Sequence, residues 1–331
     1  MTPLAITGYG ACQPTESRPS SAFDAIFRKP EGWTEAQFGI AARGVAAPEE
    51  TSSVMGARAA RQALAMAGWD DGEFDVLIGA CGVMEQPIPG TSVLIQHELG
   101  LGGSGIWAFD VNQTCLSFLA AIDVAAMGFA SGRFRRALVV SSDIASAGLD
   151  WTTPGAAAIF GDGAAAVCLE ARSDTAGPGL LSRRFETYGE GKDLAVLRSG
   201  GTGVRTADGF EALLEGSRFR MDAFGIFKAA ARLVPRLIDG VLEDAGLTRD
   251  TVDVVISHQA SRPALDHLKR LVGGDPGRVI DIFADHGNQI AASLPSALAY
   301  AHRTGRLKPG TSVLLLGTAA GISAAAMVLR T

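Results

Sequence analysis

The sequence predicts an α/β protein that is built from two similar halves. Apolar runs rich in β-branched residues alternate with amphipathic segments, as expected for a mainly parallel sheet with helices covering both faces. Hydrophobic residues make up 47% of the 331 residues, and the 41 glycines allow many tight turns between closely packed elements. Strand-like segments of the first half also recur in the second half in the same order, which indicates an internal duplication.

The elements of the first half follow from the apolar patterns and the residues that interrupt them. A strand begins at 4–7 and ends at 8–10, and 13–50 is irregular apart from a surface helix and turn. An amphipathic helix follows at 51–68, and Ser52 is expected to cap it. The next predicted elements are a buried strand at 74–80, a loop at 81–90, a helix at 91–99, a buried strand at 107–111, a helix from Cys115, and strands at 136–142 and 164–170.

The second half repeats several of these elements after a polar, glycine-rich stretch. Three pairs of segments match in order, namely 74–78 with 252–256 at an offset of 178, 137–141 with 312–316 at an offset of 175, and 164–169 with 324–330. The repeat divides the chain into an N-terminal half, 1–172, and a C-terminal half, 173–331. Under this correspondence Cys115 falls close to 287–290, which also precedes an alanine-rich helix. Helix N-termini of the two halves are therefore expected to meet at a shared centre.

Composition and charge exclude several classes of protein. The net charge of −6 argues against general binding to nucleic acid. No apolar run approaches the roughly 18 residues needed to span a bilayer, and 1–9 lacks a signal-peptide pattern. We therefore expect a cytoplasmic protein without a membrane partner. The cysteines show no spacing typical of a disulfide framework or a metal site; they are Cys12, Cys81, Cys115 and Cys168.

Cys115 is the first candidate for a catalytic residue. It follows the predicted strand 107–111 and a polar break, and the helical pattern starts at Cys115 itself. Asn112 and Thr114 are candidate N-caps, so Cys115 is expected in the first helical turn. Unpaired backbone N–H groups and the helix dipole would favour a thiolate there. The residue could equally be a small buried side chain without a chemical role.

His258 and Asn288 are the other two candidates. His258 stands just past the C-terminal end of a buried strand, where ligands usually bind in α/β sheets, although it could simply cap the following helix. Asn288 follows a glycine in a turn before the predicted helix 291–301, and such an asparagine is commonly a turn residue. His286 is adjacent and could support this site. The sequence contains neither a P-loop nor a glycine fingerprint after a strand, so no nucleotide cofactor is expected.

Four separated motifs then carry a specific resemblance. They read Asp-Val-Asn-Gln-Thr-Cys at 110–115, Phe-Gly-Asp-Gly-Ala at 160–164, His-Gln-Ala-Ser at 258–261 and Gly-Asn-Gln-Ile-Ala-Ala-Ser-Leu-Pro at 287–295. In order and spacing the chain resembles the β-ketoacyl-acyl-carrier-protein synthase III family, from about residue 8 to residue 330. The resemblance implies the thiolase fold, in which two similar α/β halves pack as five αβαβα layers. It also implies a homodimer.

The resemblance further implies an acyltransferase of fatty-acid or related lipid metabolism. Cys115 would take an acyl primer from a thioester, and His258 and Asn288 would stabilise the enolate formed when a malonyl thioester loses CO₂. A Claisen condensation would then give a β-ketoacyl thioester. The backbone N–H groups of Cys115 and Ala320 would form a second oxyanion hole. Acyl-CoA, malonyl thioesters and acyl carrier protein would be the substrates and partners, with no further cofactor and no metal.

Several positions depart from the family pattern or have only a possible role. The run 317–321 reads Gly-Thr-Ala-Ala-Gly where the family usually has consecutive glycines, and Ser261 replaces the commoner asparagine at a position associated with pantetheine or CoA. Ile88 matches a position that usually shapes the acyl pocket of the partner subunit. Three basic residues after the histidine motif could receive an acidic carrier protein or could form a solvated helix face; they are Arg262, Lys269 and Arg270.

Three other functions remain as alternatives. Some relatives transfer the acyl group to another nucleophile or condense two acyl-CoA molecules without decarboxylation. A degradative thiolase is disfavoured, because it needs a second cysteine within 317–321 and none is present. A non-catalytic partner subunit would have little reason to retain all three of Cys115, His258 and Asn288.

Overall fold

The computed structural model describes residues 1–70 and 72–331 as an α/β protein with one large mixed sheet. The elements of the first half are β1 (Thr2–Cys12), β2 (Glu16–Pro19), α1 (Ser21–Ile26), α2 (Trp33–Phe38), β3 (Ala42–Val45), α3 (Ser52–Ala67), β4 (Val76–Gly79), α4 (Thr91–Glu98), β5 (Trp107–Asp110), α5 (Ser117–Ala130), β6 (Arg136–Asp143), α6 (Pro154–Ala157) and β7 (Gly163–Ala171). The predicted boundary between residues 172 and 173 falls in the connection that follows β7.

The second half contains fewer but longer helices. Its elements are β8 (Gly179–Thr187), β9 (Ala195–Val196), α7 (Phe210–Gly216), β10 (Arg220–Met221), α8 (Ala223–Asp244), β11 (Val254–Ser257), α9 (Arg262–Val272), β12 (Val279–Ile280), α10 (Phe283–His286), α11 (Ser293–Arg303), β13 (Ser312–Ala319) and β14 (Ser323–Arg330). Short 3₁₀ helices lie at Ala145–Gly148, Gly189–Gly191, Thr206–Asp208, Pro276–Arg278 and Ile290–Ala292.

The large sheet repeats one five-strand pattern. Its ten strands follow the order β12-β11-β13-β14-β8-β1-β7-β6-β4-β5, so the two halves meet where β8 pairs with β1. In each half one inner strand, β4 or β11, is parallel to both of its neighbours. The other five pairings are antiparallel, so the prediction of a mainly parallel sheet is wrong. The connection from β13 to β14 spans only residues 320–322, which is too short for a parallel crossover.

The register of the strands confirms the duplication and corrects one match. Val76 pairs with Ala137, whereas Val254, 178 residues later, pairs with Val313. Ala137 therefore corresponds to Val313 rather than to Ser312, one residue from the predicted position. The side chains repeat as well as the backbone. Asp75 Oδ2 accepts from the backbone N–H of Arg136 at 2.9 Å, and Asp253 Oδ2 accepts from that of Ser312 at 2.8 Å.

Alternation of side chains along the strands produces the five layers. Val76 and Ile78 point to a central core that also contains α5 and α11, whereas Leu77 points to an outer core formed with α3 and α4. In the second half Ile256 faces the same central core, and Val255 faces α8 and α9. The five strands of each half form a separate layer of the large sheet. The order of layers is therefore α3/α4, strands of the first half, α5/α11, strands of the second half and α8/α9, which is the expected αβαβα arrangement.

Several predicted elements differ from the observed ones. β1 continues through Gly8 and Gly10 to Cys12, because both glycines leave room for the backbone of α3. β5 is the edge strand, and Trp107 is 48% exposed, so the expectation of a buried strand there is wrong. In the region 13–50 the helix α2 confirms the predicted surface helix, whereas α1 and the small sheet of β2 and β3 stand where irregular structure was expected.

The cap of helix α3 lies one residue before the predicted cap. The N-cap of α3 is Thr51, whose Oγ1 accepts from Val54 N–H at 3.4 Å, and not Ser52.

Across residues 1–70 and 72–331, none of the helices combines the length and apolar character needed to cross a membrane.

Candidate active site

Cys115 lies in a turn immediately before α5. Asn112 Oδ1 accepts from Thr114 N–H at 2.9 Å, and Thr114 adopts a left-handed conformation with φ of 49°. Gln113 N–H donates to Ser117 Oγ at 2.9 Å, which closes the turn. The helix begins only at Ser117, without a side-chain cap, so the placement of Cys115 in the first helical turn is wrong. The Asn112 side chain therefore hydrogen-bonds within the turn and does not cap α5.

The same turn occurs a second time around Asn288. Asn288 Oδ1 accepts from Ile290 N–H at 2.9 Å, and Ile290 has φ of 52°. Gln289 N–H donates to Ser293 Oγ at 3.0 Å. Each contact lies 176 residues after its counterpart, and Cys115 corresponds to Ala291. The duplication therefore places the nucleophile candidate and the asparagine candidate on two copies of one backbone structure.

His258 directly follows β11 and is held by the adjacent strand. Its backbone N–H donates to Leu316 O at 2.9 Å, and its side chain is only 6% exposed. Ser261 caps α9, because its Oγ accepts from Ala264 N–H at 3.4 Å, so a helix cap does not explain the histidine. Burial lowers the pKa of His258 to about 4, with a hydrogen bond to the Ile290 backbone opposing the shift. The imidazole is therefore neutral at pH 7.

The Phe-Gly-Asp-Gly motif supports Asn288. Asn288 N–H donates to Ile159 O at 2.8 Å, and its carbonyl accepts from Gly161 N–H at 3.1 Å. Its side-chain Nδ2 donates to Ala260 O at 3.4 Å, two residues after His258. Gln289 Nε2 donates to Asp162 O at 2.8 Å. The motif entered the sequence analysis only through the family resemblance, and its role as a support for the asparagine follows from the structure.

Two glycines show how closely the segments that carry the three candidate residues pack together. A Cβ at Gly82 would lie 2.5 Å from Ile290 Cγ2 and 3.2 Å from the Thr114 carbonyl carbon. A Cβ at Gly317 would lie 2.9 Å from His258 Cβ and 3.1 Å from Leu116 Cδ2. Gly82 thus lies between the Cys115 turn and the Asn288 turn, and Gly317 lies between His258 and the start of α5. The Asn288–Ala260 hydrogen bond joins the Asn288 turn to the segment that follows His258. The structure therefore brings the Cys115 turn, His258 and the Asn288 turn together.

The Cys115 thiol is protonated in this environment. The side chain is partly exposed, but its surroundings are poorly hydrated and the carboxylate of Asp143 is close. Burial, with Asp143 as a smaller cause, raises the pKa of Cys115 to about 12. The expectation that the position favours a thiolate is wrong, because burial disfavours the charged form and the carboxylate of Asp143 adds to this effect.

The remaining predicted site residues lie in different surroundings. Ala320 is in the turn between β13 and β14, and Ser261 is partly committed to its helix cap. Ile88 is 85% exposed in the loop before α4. Arg262 and Lys269 both bind the Asp281 carboxylate, at 2.5 and 2.8 Å, so this carboxylate partly neutralises their charges. The exposed Arg270 is also on α9.

The histidines outside the site have structural contacts. His286 Nδ1 lies 3.0 Å from Ile282 O, within α10. His302 stacks on Tyr9 with ring centroids 4.5 Å apart, and His267 packs edge-on against Phe227. Within the part of the chain that the structure describes, no group of three or more His, Cys, Asp or Glu side chains is arranged to hold a metal ion.

The five layers and the paired turns define a protein of the thiolase superfamily. Two family models match, "3-Oxoacyl-[acyl-carrier-protein (ACP)] synthase III" at 109–189 and "3-Oxoacyl-[acyl-carrier-protein (ACP)] synthase III C terminal" at 242–331. The chain belongs to the β-ketoacyl-[acyl-carrier-protein] synthase III family. It is accordingly an acyltransferase-type condensing enzyme of fatty-acid biosynthesis.

Individual relatives match along almost the whole chain. The β-ketoacyl-[acyl-carrier-protein] synthases III of Roseobacter denitrificans and Neisseria meningitidis serogroup B are 34% and 33% identical, with 98% of both chains covered in each case. The synthase III structure from Aquifex aeolicus has a TM-score of 0.89 at 28% identity and covers 99% of this chain and 100% of its own. The priming β-ketosynthase of the R1128 polyketide pathway has a TM-score of 0.90 at 29% identity, with coverages of 99% and 96%.

Proposed function

We propose that Cys115, His258 and Asn288 carry out a two-step condensation. In the first step the Cys115 sulfur attacks the carbonyl of an acyl thioester and releases the donor thiol. In the second step a malonyl thioester loses CO₂, and its carbanion attacks the acyl-Cys115 carbonyl to give a β-ketoacyl thioester and free Cys115. The observation that supports this reaction best is the close packing of the Cys115 turn, His258 and the Asn288 turn.

His258 suits the second step because it is neutral. A neutral imidazole has one N–H donor, which can exchange its hydrogen bond with the Ile290 backbone for one with the enolate oxygen formed on decarboxylation. Asn288 can supply a second donor from its Nδ2, which makes only a long hydrogen bond of 3.4 Å to Ala260 O. Two neutral donors stabilise the developing negative charge without presenting an acidic proton that would quench the carbanion.

The first step requires the Cys115 thiol to lose its proton. Because the pKa of the thiol is about 12, little thiolate exists at neutral pH before substrate binds. The acceptor nitrogen of neutral His258 can take this proton as the sulfur attacks, and the departing thiolate can recover it. The tetrahedral oxyanion would be bound by the backbone N–H groups of Cys115 and Ala320.

The substrates follow from this chemistry and from the names of the relatives. Acyl-CoA or acyl carrier protein would deliver the primer and the malonyl group, and no cofactor or metal beyond these thioesters is needed. Arg270, exposed on α9, together with Arg262 and Lys269, would attract an acidic carrier protein, while Ser261 would contact the pantetheine arm. The curated relatives quoted above are named as condensing synthases, so acyl transfer to another acceptor is not favoured.

A homodimer would complete the acyl pocket. The edge strand β5 leaves backbone groups unpaired on one side, and it exposes Trp107. Ile88, which is 85% exposed, lies in the loop that follows the neighbouring strand β4. A second copy would cover this apolar surface and receive Ile88 into its own acyl pocket.

With four free cysteines, the enzyme would work in the reducing cytoplasm.

Intact-protein mass spectrometry with a panel of acyl-CoAs tests the first step. We expect a mass increase equal to the acyl group on the wild type and none on Cys115→Ala. Malonyl-CoA or malonyl-carrier protein should then discharge the acyl group, with release of CO₂ and a β-ketoacyl product. Equal acylation of the Cys115→Ala variant would refute the role of Cys115. Acylation that malonyl donors fail to discharge would instead favour transfer to another acceptor.

A further inference from the structure

Asp143 is a fully buried carboxylate to which the proposed reaction assigns no step. It is the last residue of β6, and its side chain is 0% exposed. Oδ1 accepts from the backbone N–H groups of Gly82 at 2.8 Å and Val83 at 2.7 Å, while Oδ2 accepts from that of Ala292 at 3.1 Å. One carboxylate thus joins a loop of the first half to a helix start of the second half.

The segments that Asp143 joins are those that carry the proposed catalytic residues. The loop after β4 is tied to the start of α5, because Ser117 Oγ donates to Cys81 O at 3.2 Å. Gly82 of this loop packs against the Thr114 carbonyl. Ala292 belongs to the short 3₁₀ helix that continues the Asn288 turn. The hydrogen bonds therefore run from the surroundings of the nucleophile to those of the asparagine.

The charge of Asp143 has the wrong sign for activating a thiol. Burial raises the pKa of the Asp143 carboxyl to about 7, and the backbone donors counteract this increase. Burial is the main cause of the raised pKa values of the Cys81 and Cys115 thiols, and the negative charge of Asp143 raises both further. An aspartate that makes the nucleophile harder to ionise does not assist the first step electrostatically. Its contribution to the reaction has to be geometric.

We propose that Asp143 is a positioning residue that sets the separation between the Cys115 turn and the Asn288 turn. This inference rests on the proposed two-step condensation. Condensation requires the acyl group on Cys115 and the enolate held at Asn288 to meet at bonding distance, and a misplacement of about 1 Å can slow such a step about 100-fold. Acylation of Cys115 does not require the Asn288 side chain and should depend less on this separation.

The variant Asp143→Asn separates the two effects. An asparagine of the same shape removes the charge and turns one acceptor into an NH₂ group, which cannot accept from the N–H groups it meets. We expect the pH profile for alkylation of Cys115 by iodoacetamide to shift to lower pH. Discharge of the acyl-enzyme by malonyl-CoA should instead slow by about 10- to 100-fold. A loss of structure would also expose the thiol and lower its pKa, so the shift is assigned to the Asp143 charge only if the circular-dichroism spectrum and the acylation rate stay close to those of the wild type.

The control is Asp24→Asn, at another buried carboxylate. Asp24 accepts from the N–H groups of Gly32 and Thr34 within one local segment, so it joins no two parts of the site. This variant should leave the alkylation profile and the ratio of the two rates unchanged. If Asp143→Asn does not fold, Asp143→Ala offers the same measurements without a donor facing other donors.

Two results would overturn the positioning role. One is an Asp143→Asn variant that discharges the acyl-enzyme at the wild-type rate. The other is an equal loss of acylation and discharge that follows the loss of thermal stability. Failure of the wild type to form an acyl-enzyme would refute the proposed function instead, and the substrate-free alkylation profile would still report whether Asp143 acts on Cys115.

Discussion

Burial changes the pKa values of Asp143 and His258 in opposite directions. The carboxyl of Asp143 has its pKa raised to about 7, so the folded protein keeps a proton there that the unfolded chain has lost above its ordinary value of 3.8. Stability therefore falls as the pH rises towards 7. The pKa of His258 is lowered to about 4, so between pH 4 and 6.5 only the unfolded chain is protonated, and stability rises with pH. The two effects largely cancel in this range.

Replacing His258 with glutamine should remove the part of the pH dependence of stability that comes from His258. The difference in free energy of unfolding between wild type and His258→Gln should increase by about 2–3 kcal/mol from pH 4.5 to pH 6.5, in favour of the wild type at the higher pH. Urea unfolding at a series of pH values measures this difference. The control His97→Gln, at an exposed histidine of α4, should follow the wild type. Parallel curves for His258→Gln and wild type would contradict a neutral buried His258.

The proposed catalytic residues could be selected from the sequence, but their ionisation could not. Cys115, His258 and Asn288 stand at the ends of apolar runs, which is a local signal. The protonated state of Cys115 depends first on burial and then on the charge of Asp143, and both arise only in the folded chain. Asp143 itself ends the apolar run that begins at Ala137. An acidic residue at the end of such a run is the sequence feature that could have indicated its importance.

The contact between β1 and α3 depends on glycine. A Cβ at Gly10 would lie 2.0 Å from the Ala59 carbonyl oxygen and 2.9 Å from the Ala63 nitrogen, and both are backbone atoms of α3. The helix can approach the strand this closely only because the strand lacks side chains at these points. This approach also explains why β1 continues through glycines that were predicted to end it.

Gly10→Ala should therefore weaken the packing of α3 on the sheet. Because backbone atoms cannot move aside as a flexible side chain would, we expect a loss of about 1–3 kcal/mol or more in the free energy of unfolding. Thermal or urea unfolding measures it. Gly155→Ala in α6 is the matched control, since a Cβ there meets nothing within 4 Å, and it should change stability by less than about 1 kcal/mol. Equal stability of the two variants would contradict the close approach.

The elements themselves were easier to predict than their pairing. Apolar runs located β4, β6, β7, β11, β13 and β14, because a buried strand needs such a run whichever way its neighbours point. Parallel and antiparallel neighbours leave the same pattern, so the mixed sheet could not be predicted. The one-residue error at Ser312 has a related cause, since the correct register is defined by pairing across strands.

The exposed edge of the molecule predicts how two copies would assemble. Pairing along β5 would bury Trp107, and we expect Trp107→Glu to convert a dimer into monomers by placing a charge in the interface. Sedimentation velocity measures the change. Condensing activity should fall with the dimer, because each copy would lose the Ile88 of the other. Met66→Glu, at an exposed methionine of α3, is the control and should remain dimeric. A wild type that sediments as a monomer would refute the assembly.

The two copies of the Asn-Gln turn also bear on protein engineering. Ala291 has the same backbone surroundings as Cys115, with an asparagine three residues before it and a serine two residues after it. The chain thus contains a second copy of the backbone turn that holds Cys115. Ala291→Cys would place a second thiol in that copy, which makes the C-terminal half a natural starting point for designing a new covalent site.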